Sequence, residues 1–495
     1  MELFFTNFIE VLHPISLLIL TCGIIFGLVF GSIPGLTATM GVALLLPITF
    51  GLSPLNGILL LIGVYLGGVS GGLVAASLLG IPGTPSSIAT TFDAYPMSKG
   101  GEPVRALSIG ILASFIGGLF SFVVLITVSP IISRWAVKMS SFDFAALIIL
   151  ALTLIAVLSA GNMIKGLSSG IVGLMIALIG FAPIDGTERF TFGYLPLTAG
   201  IDLLPLIMGL FAITVIHTEV QNGLSLEERL MKVKGFAVSL KELVSNTVNI
   251  VRSCLIGVSL GILPGMGSGA SNLIAYAQAK QSSKTPEKFG KGSAEGIYAA
   301  ESANNASVGG ALVPMLTLGI PGDSVTAILI GGFLIHGIQP GPLLFTNDAE
   351  IVNIVFIGFL LSIILVFLIQ LFGIRIFPKI LEIPKHFLYP MLLVMTVVGS
   401  FSMSHRIFDI WIMLFFGLIG FVMVKNNFPM APMILGFVLG PMFETYFRRA
   451  TMSSSSAMDI FSYPMTIIFL LCAVFIIVYT FIKEFRLARN KKVTS

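Results

Sequence analysis

Residues 69–83 read VSGGLVAASLLGIPG and residues 308–322 read VGGALVPMLTLGIPG, an ungapped match at nine of fifteen positions. An earlier pair agrees with it, since Gly31-Ser32-Ile33-Pro34-Gly35 recurs as Gly261-Ile262-Leu263-Pro264-Gly265. Each half of the chain therefore carries two Pro-Gly breaks: Pro34-Gly35 and Pro82-Gly83, then Pro264-Gly265 and Pro321-Gly322. Proline withholds a backbone donor and disfavours helix in the residue before it, while glycine accepts angles closed to other residues. Inside apolar sequence, such a break stops one half-helix and lets another start. Interrupted apolar helices in duplicate are a mark of transporters.

The surrounding composition points to lipid as solvent. Of 495 residues, 56% are apolar and only 10% charged, and the mean hydropathy is +1.02, too little charge to coat a soluble globule of this size. Runs such as 15–30, 144–158, 351–372 and 467–482 approach the roughly 20 residues needed to cross the hydrocarbon core. The formal charge of +4 is scattered without a basic block, which argues against nucleic acid. Residues 1–14 hold Glu2 and Glu10 and no Lys or Arg, so a cleavable signal is not expected and the first span should remain. Cys22, Cys254 and Cys472 are far apart in apolar segments and read as packing residues. No Cys/His spacing suggests a metal, and no cofactor is expected beyond a coupling ion.

The expected architecture is an all-α polytopic membrane protein of two repeats. Residues 15–52 and 244–280 each form a span, a break and a second arm. Residues 56–96 and 295–337 each lead through a GIPG break into a polar-starting arm. Four spans follow in each half, near 106–132, 143–160, 165–182 and 202–217, then near 351–374, 387–402, 408–424 and 430–443, and an unpaired span at 463–482 closes the chain. Pro205-Leu-Ile-Met-Gly209 resembles Pro432-Met-Ile-Leu-Gly436. The domain reading is a first repeat over 1–217, an amphipathic cytoplasmic linker over 218–252, a second repeat over 253–445, and a C-terminal span with a basic tail over 446–495.

The positive-inside rule bears on whether the repeats are parallel or inverted. With the tail residues Lys483, Arg486, Arg489, Lys491 and Lys492 inside, counting back puts Lys425, Lys379, the loop from Lys280 to Lys291, and Lys99 with Arg105 inside. Asp348 with Glu350, Asp185 with Glu188, Asp202 and the acidic N-terminus then fall outside. Each half crosses an odd number of times, so the expectation is inverted repeats, with parallel repeats the alternative. Arg134 with Lys138, and Arg448 with Arg449, object by landing outside.

Interrupted helices survive in a membrane only where protein or a water-filled cavity satisfies their backbone. After the breaks stand Thr37 and Thr39; Thr84, Ser86 and Ser87; Ser268, Ser271 and Asn272; and Asp323 with Ser324. Thr84 and Asp323 are good N-cap types, and Pro85 suits a first helical position. Half-helix N-termini offer free N–H groups and partial positive charge to an anion. The plainer reading of any one break is a capped kink with small residues for packing; four, in duplicate, favour a binding site. The segment before the second GIPG is unusually polar, and ionisable groups at membrane depth mark ion or substrate paths. Glu301, Asp323 and Asp93 are the candidates for Na⁺ or H⁺ coupling, and Asn304 and Asn305 for substrate contacts. Glu295 reads as a solvated helix end, and Asp93 has an end-of-helix reading besides coupling. The histidines at 217, 336, 386 and 405 have no partner spacing.

The stretches YLGGVSGGLVAASLLGIPGTPSSIATTFDAYPMSKGG and GIYAAESANNASVGGALVPMLTLGIPGDSVTA, with the elements at 31–47 and 261–280, resemble the large membrane subunit (TctA) of tripartite tricarboxylate transporters, over about residues 15–480. The resemblance implies a permease of the bacterial inner membrane, working with a small membrane subunit (TctB type) and a periplasmic solute-binding protein (TctC type) under an ion gradient. Its substrates would be carboxylates, citrate being the name-giving case. The expected function is thus carboxylate import by secondary transport, with the N-terminus periplasmic and the C-terminus cytoplasmic. No catalytic residues are expected. The alternative is an intramembrane enzyme acting on a lipid or acyl substrate, which would need a nucleophile with a base in reach; a third class, an ion channel, would not show saturable, partner-dependent flux. No Walker-type phosphate loop is present.

Overall fold

Glycine rows decide how the helices meet. The computed structural model describes residues 2–158, 163–222, 235–265, 267–376, 379, 385–454 and 457–493. Helices α1 (Pro14–Ser32), α2 (Ala38–Thr49), α3 (Pro54–Leu78), α4 (Ile88–Lys99) and α5 (Pro103–Ala136) form the first half of the core. Helices α6 (Thr247–Ile262), α7 (Gly267–Ser282), α8 (Ala294–Leu318), α9 (Ser324–Ile335) and α10 (Ala349–Gly373) form the second. On α1, Gly23, Gly27 and Gly31 lie against the backbone of α3, and on α3, Gly63, Gly67 and Gly71 lie against α1. A Cβ added at Gly27 would sit 2.4 Å from Val64 O, and one at Gly67 2.3 Å from Ile24 O. Helix α6 meets α8 in the same manner, with a Cβ at Gly257 2.4 Å from Ala303 O and one at Gly261 2.4 Å from Ser307 O. Lipid provides little hydrophobic drive between helices, so close backbone approach across small residues is what holds them.

Seven helices among the described residues are long and apolar enough to span a membrane, including residues 407–425, 430–453 and 464–482. Residues 464–482 leave most of their surface exposed, while α3 is buried along its whole membrane-length window. This is a polytopic all-α membrane protein, with α3 and α8 at its centre. The only β pairing among the described residues is Gly180–Phe181 with Glu188–Arg189.

Several details depart from expectation. The span expected at 165–182 ends at Ala177, and the chain turns through that small hairpin. The span at 202–217 is broken by a π-helix, Met208–Ile213. A helix at Glu2–Val11 precedes the first span. The amphipathic linker falls partly outside the described residues, at 223–234, and its described part is not one helix: Gly235 has φ +99°, Ser239 caps a new short helix Leu240–Ser245, and α6 starts at Thr247. Cys254 is buried as expected of a packing residue, but Cys22 and Cys472 are exposed on apolar helices. A thiol on a membrane helix needs no protein neighbour when its surroundings are apolar.

Loops meet in pairs. Asn7 Nδ2 donates to Glu350 O at 3.3 Å, Ser133 Oγ to Pro342 O at 3.0 Å and Thr466 Oγ1 to Asp143 Oδ1 at 2.6 Å. Arg448 pairs with Asp185 at 2.6 Å, Arg189 with Glu444 at 2.7 Å and Arg406 with Asp202 at 2.6 Å. A second set joins Arg105 to Glu242 at 2.9 Å, Lys165 Nζ to Asn426 O at 2.6 Å, and Asp93 to the 290–293 loop. Arg448 and Asp185, which charge counting puts on one face, thus stand side by side.

Candidate functional site

The first, second and fourth Pro-Gly breaks are each followed by a residue that satisfies backbone groups at the start of the next turn or helix. Thr37 caps α2, its Oγ1 accepting from Met40 N at 3.2 Å. Thr84 opens a short 3₁₀ turn, Pro85–Ser87, that leads into α4; Ser87 Oγ accepts from Thr84 N at 3.2 Å and donates to Thr84 O at 2.9 Å. Asp323 caps α9, with Oδ1 accepting from Thr326 N at 2.8 Å and Thr326 Oγ1 accepting from Asp323 N at 2.9 Å. Gly35 and Gly265 hold the corresponding left-handed positions, φ 92° and 80°, where a side chain would be strained. The later pair of glycines works by proximity: a Cβ at Gly83 would stand 2.2 Å from Gly31 O and one at Gly322 2.7 Å from Gly261 O. Gly265 N donates to Gly322 O at 2.8 Å, joining third and fourth breaks directly.

The four ends wall one cavity of about 290 Å³. Thr37 and Thr39 come from the first break, Thr84 and Ser86 from the second, Gly265 and Ser268 from the third, and Asp323 and Ser324 from the fourth. Across it Thr39 Oγ1 and Ser324 Oγ lie 3.1 Å apart, one from each half. No lysine, arginine or histidine is among the described residues that line it. Its electrostatics come from neutral hydroxyls, four chain turns and the Asp323 carboxylate, which accepts from Tyr65 OH at 2.6 Å. Phe211, on the π-helix, with Ala431 and Leu435 supplies an apolar wall. Those residues lie in or beside the PLIMG and PMILG segments, whose likeness was visible while their place beside the cavity was not.

Other candidates stand elsewhere. Ser87 and Ser271 face backbone, the latter donating to Ser268 O at 2.9 Å. Asn272 bridges α4 and α8: its Oδ1 accepts from Ala89 N at 2.7 Å and its Nδ2 donates to Ala300 O at 3.1 Å. Asn305 accepts from Ser70 Oγ at 2.8 Å. Glu301 is wholly buried and accepts from Thr90 Oγ1 at 2.5 Å, Ser114 Oγ at 3.0 Å and Asn304 Nδ2 at 3.3 Å. Asp93 accepts from Tyr276 OH at 2.9 Å and from the N–H groups of Gly290, Gly292 and Ser293 at 2.7–2.9 Å, a full shell that pins the 290–293 loop. Thr90, Ser114 and Thr326 were missed because a lone hydroxyl in a membrane helix usually bonds its own backbone. Among the described residues no group of His, Cys, Asp and Glu is arranged to hold a metal ion.

The Tripartite tricarboxylate transporter TctA family matches residues 17–435. A protein of Agrobacterium vitis called "Uncharacterized 52.8 kDa protein in TAR-I ttuC' 3'region" is 33% identical over 490 residues, 98% of this chain and 97% of that protein. Another from the same organism, "Uncharacterized protein in TAR-II ttuC' 3'region", is 37% identical over 209 residues, 41% of this chain and 85% of that protein. No solved structure matches this chain.

Proposed function

This chain belongs to the tripartite tricarboxylate transporter TctA family, and on that premise we propose that it is the large permease subunit of a binding-protein-dependent secondary transporter that imports tricarboxylates or other organic carboxylates on a Na⁺ or H⁺ gradient. Its partners in this reading are a small membrane subunit and a periplasmic solute-binding protein, and its place is the bacterial inner membrane. The observation that carries the reading is the convergence of four broken helices on one cavity of about 290 Å³, close to the lower end of the roughly 300–1,000 Å³ usual for small-molecule sites. Helix N-termini and hydroxyls offer a carboxylate hydrogen bonds without a fixed positive charge, so that a solute held there can also leave. The pairing of loops that charge counting puts on one side supports inverted repeats, with Asp185, Asp202, Asp348 and Arg448 periplasmic and Lys99, Lys165 and Lys425 cytoplasmic.

The test is uptake of labelled citrate and a panel of other carboxylates into proteoliposomes that hold this chain, its small membrane partner and a cognate binding protein. Saturable uptake that requires the binding protein and an imposed Na⁺ or H⁺ gradient is the expected result. Absence of uptake across the panel under both gradients, with all partners present, overturns the reading.

A further inference from the structure

We infer that Glu301 carries the coupling proton and that the Asn304 amide responds to its presence; the inference rests on the transport reading above and names its driving ion. Glu301 lies on α8 outside the cavity wall and is wholly buried. Its three donors, Thr90, Ser114 and Asn304, are all neutral. Among the described residues no lysine, arginine or histidine pairs with it. A buried carboxylate without a counter-ion carries a large desolvation penalty, which a bound proton removes.

A proton-bound Glu301 needs an acceptor for its own O–H. Asn304 is wholly buried and its Oδ1 has no partner, although Nδ2 of the same amide lies 3.3 Å from Glu301 Oε2. Turning that amide over exchanges donor for acceptor. The carboxylate is served by Nδ2 and the acid by Oδ1, so one side chain accommodates both states. A sodium ion fits less well. The 2.5 Å contact between Thr90 and Glu301 leaves no space between them, and the small void of about 10 Å³ lined by Ser114 and Asn305 is not lined by Glu301.

The surroundings contribute no compensating charge. Helix α4 brings Asp93, whose oxygens are taken by Tyr276 and the 290–293 backbone. Helix α3 brings Ser70 to Asn305, α6 brings the buried Cys254, α7 brings Asn272 and Tyr276, and α8 itself brings Tyr298, whose hydroxyl has no partner. Thr90 Oγ1, which donates to Glu301, also accepts from Asn272 Nδ2 at 3.3 Å. Glu301 is thereby tied to α4, into which the cavity-lining residues Thr84 to Ser86 lead, and to α7, whose first residues line the cavity. Changing its charge changes those ties, which gives proton and solute a shared set of contacts through which each can bias the other.

Two measurements on the full chain test this. Infrared difference spectra of wild type and Glu301→Gln in nanodiscs, titrated from acid to alkaline pH, are expected to show a carboxylic-acid C=O band that wild type has and the variant lacks, unmoved by sodium. Asn304→Ala is expected to shift the titration of that band while leaving it present. In proteoliposomes with both partners, Glu301→Gln is expected to lose accumulation driven by a pH gradient yet keep exchange of internal for external solute. Wild-type accumulation that follows sodium and ignores the pH gradient overturns the inference. So does a Glu301→Gln protein that still concentrates solute on a pH gradient, or the absence of any band assignable to Glu301. A titrating band in a protein that moves no carboxylate under any gradient leaves the proton site standing and overturns the transport reading instead.

Discussion

Tyr65 donates its hydroxyl to Asp323 Oδ2 at 2.6 Å, linking the helix that leads into the second break with the cap of the fourth. Both residues are buried, and Thr326 serves the other oxygen of the carboxylate. Removing the hydroxyl leaves one buried carboxylate oxygen without that donor, which costs about 1–3 kcal/mol. Tyr65→Phe is accordingly expected to weaken solute uptake, mainly as a higher KM, and to lower the melting temperature of the purified protein. Uptake kinetics unchanged in both parameters would sever Asp323's hydrogen bonding from the cavity's function.

Hydroxyls that line the cavity are expected to behave differently from those that cap helices. Ser268→Ala removes a group from the cavity wall and should reduce apparent affinity by a factor corresponding to about 0.5–1.5 kcal/mol with little change in thermal stability. Ser86→Ala also removes a buried 2.7 Å hydrogen bond to Thr84 Oγ1 and should lower affinity and stability together. Ser87→Ala removes two hydrogen bonds to Thr84 and should lower stability first. Paired melting curves and uptake titrations separate the two classes; equal effects from all three serines would contradict the assignment.

Close approach at the breaks gives a third expectation. A Cβ at Gly322 would stand 2.6 Å from Ala311 Cα, whereas one at Gly373 meets nothing within 4 Å. Overpacking typically destabilises by about 1–3 kcal/mol, and backbone neighbours yield less than side chains. Gly322→Ala should reduce folded yield and melting temperature, and Gly373→Ala should leave both near wild type. Size-exclusion profiles and thermal melts of the two variants decide the matter.

Topology can be read by labelling. In a chain without its native cysteines, single cysteines replacing Lys99, Lys425 or Lys291 are expected to react with a membrane-impermeant maleimide only from the cytoplasmic face. Those replacing Asp348, Glu10 or Asp202 should react only from the periplasmic face. Asp185 and Arg448, paired at 2.6 Å, must label from the same side as each other. Labelling of Lys99 and Asp348 from one face would rule out the inverted arrangement.

Much of the architecture was legible because each break is a local event. Pro34-Gly35 and Pro321-Gly322 interrupt helices wherever they are buried, and the residues that follow them, Thr37 and Asp323, cap helices through their own backbone neighbourhood. The ends of spans were less legible. Apolar sequence continues through residues 178–182, yet Gly180, at φ +105°, lets the chain turn into a hairpin. The π-helix at Met208–Ile213 left no trace in composition; in the fold it lies against residues 407–425, with a Cβ at Gly209 2.4 Å from Met413 O.

The division runs by the range of the interaction. The sequence by itself determined that this chain lives in lipid, that its helices are broken at four points, and that hydroxyl and carboxylate groups stand just beyond the breaks, because helix propensity, capping and hydropathy act over a few residues. Only the tertiary structure decided that Thr39 meets Ser324, that Phe211 and Leu435 close the cavity, and that Glu301 and Asn304 form a separate buried pair held by Thr90 and Ser114. Apart from the Asn304 contact to Glu301, three residues away on the same helix, those relations join residues far apart in the chain, and they depend on which helices come together, information spread over whole helices and absent from any single motif.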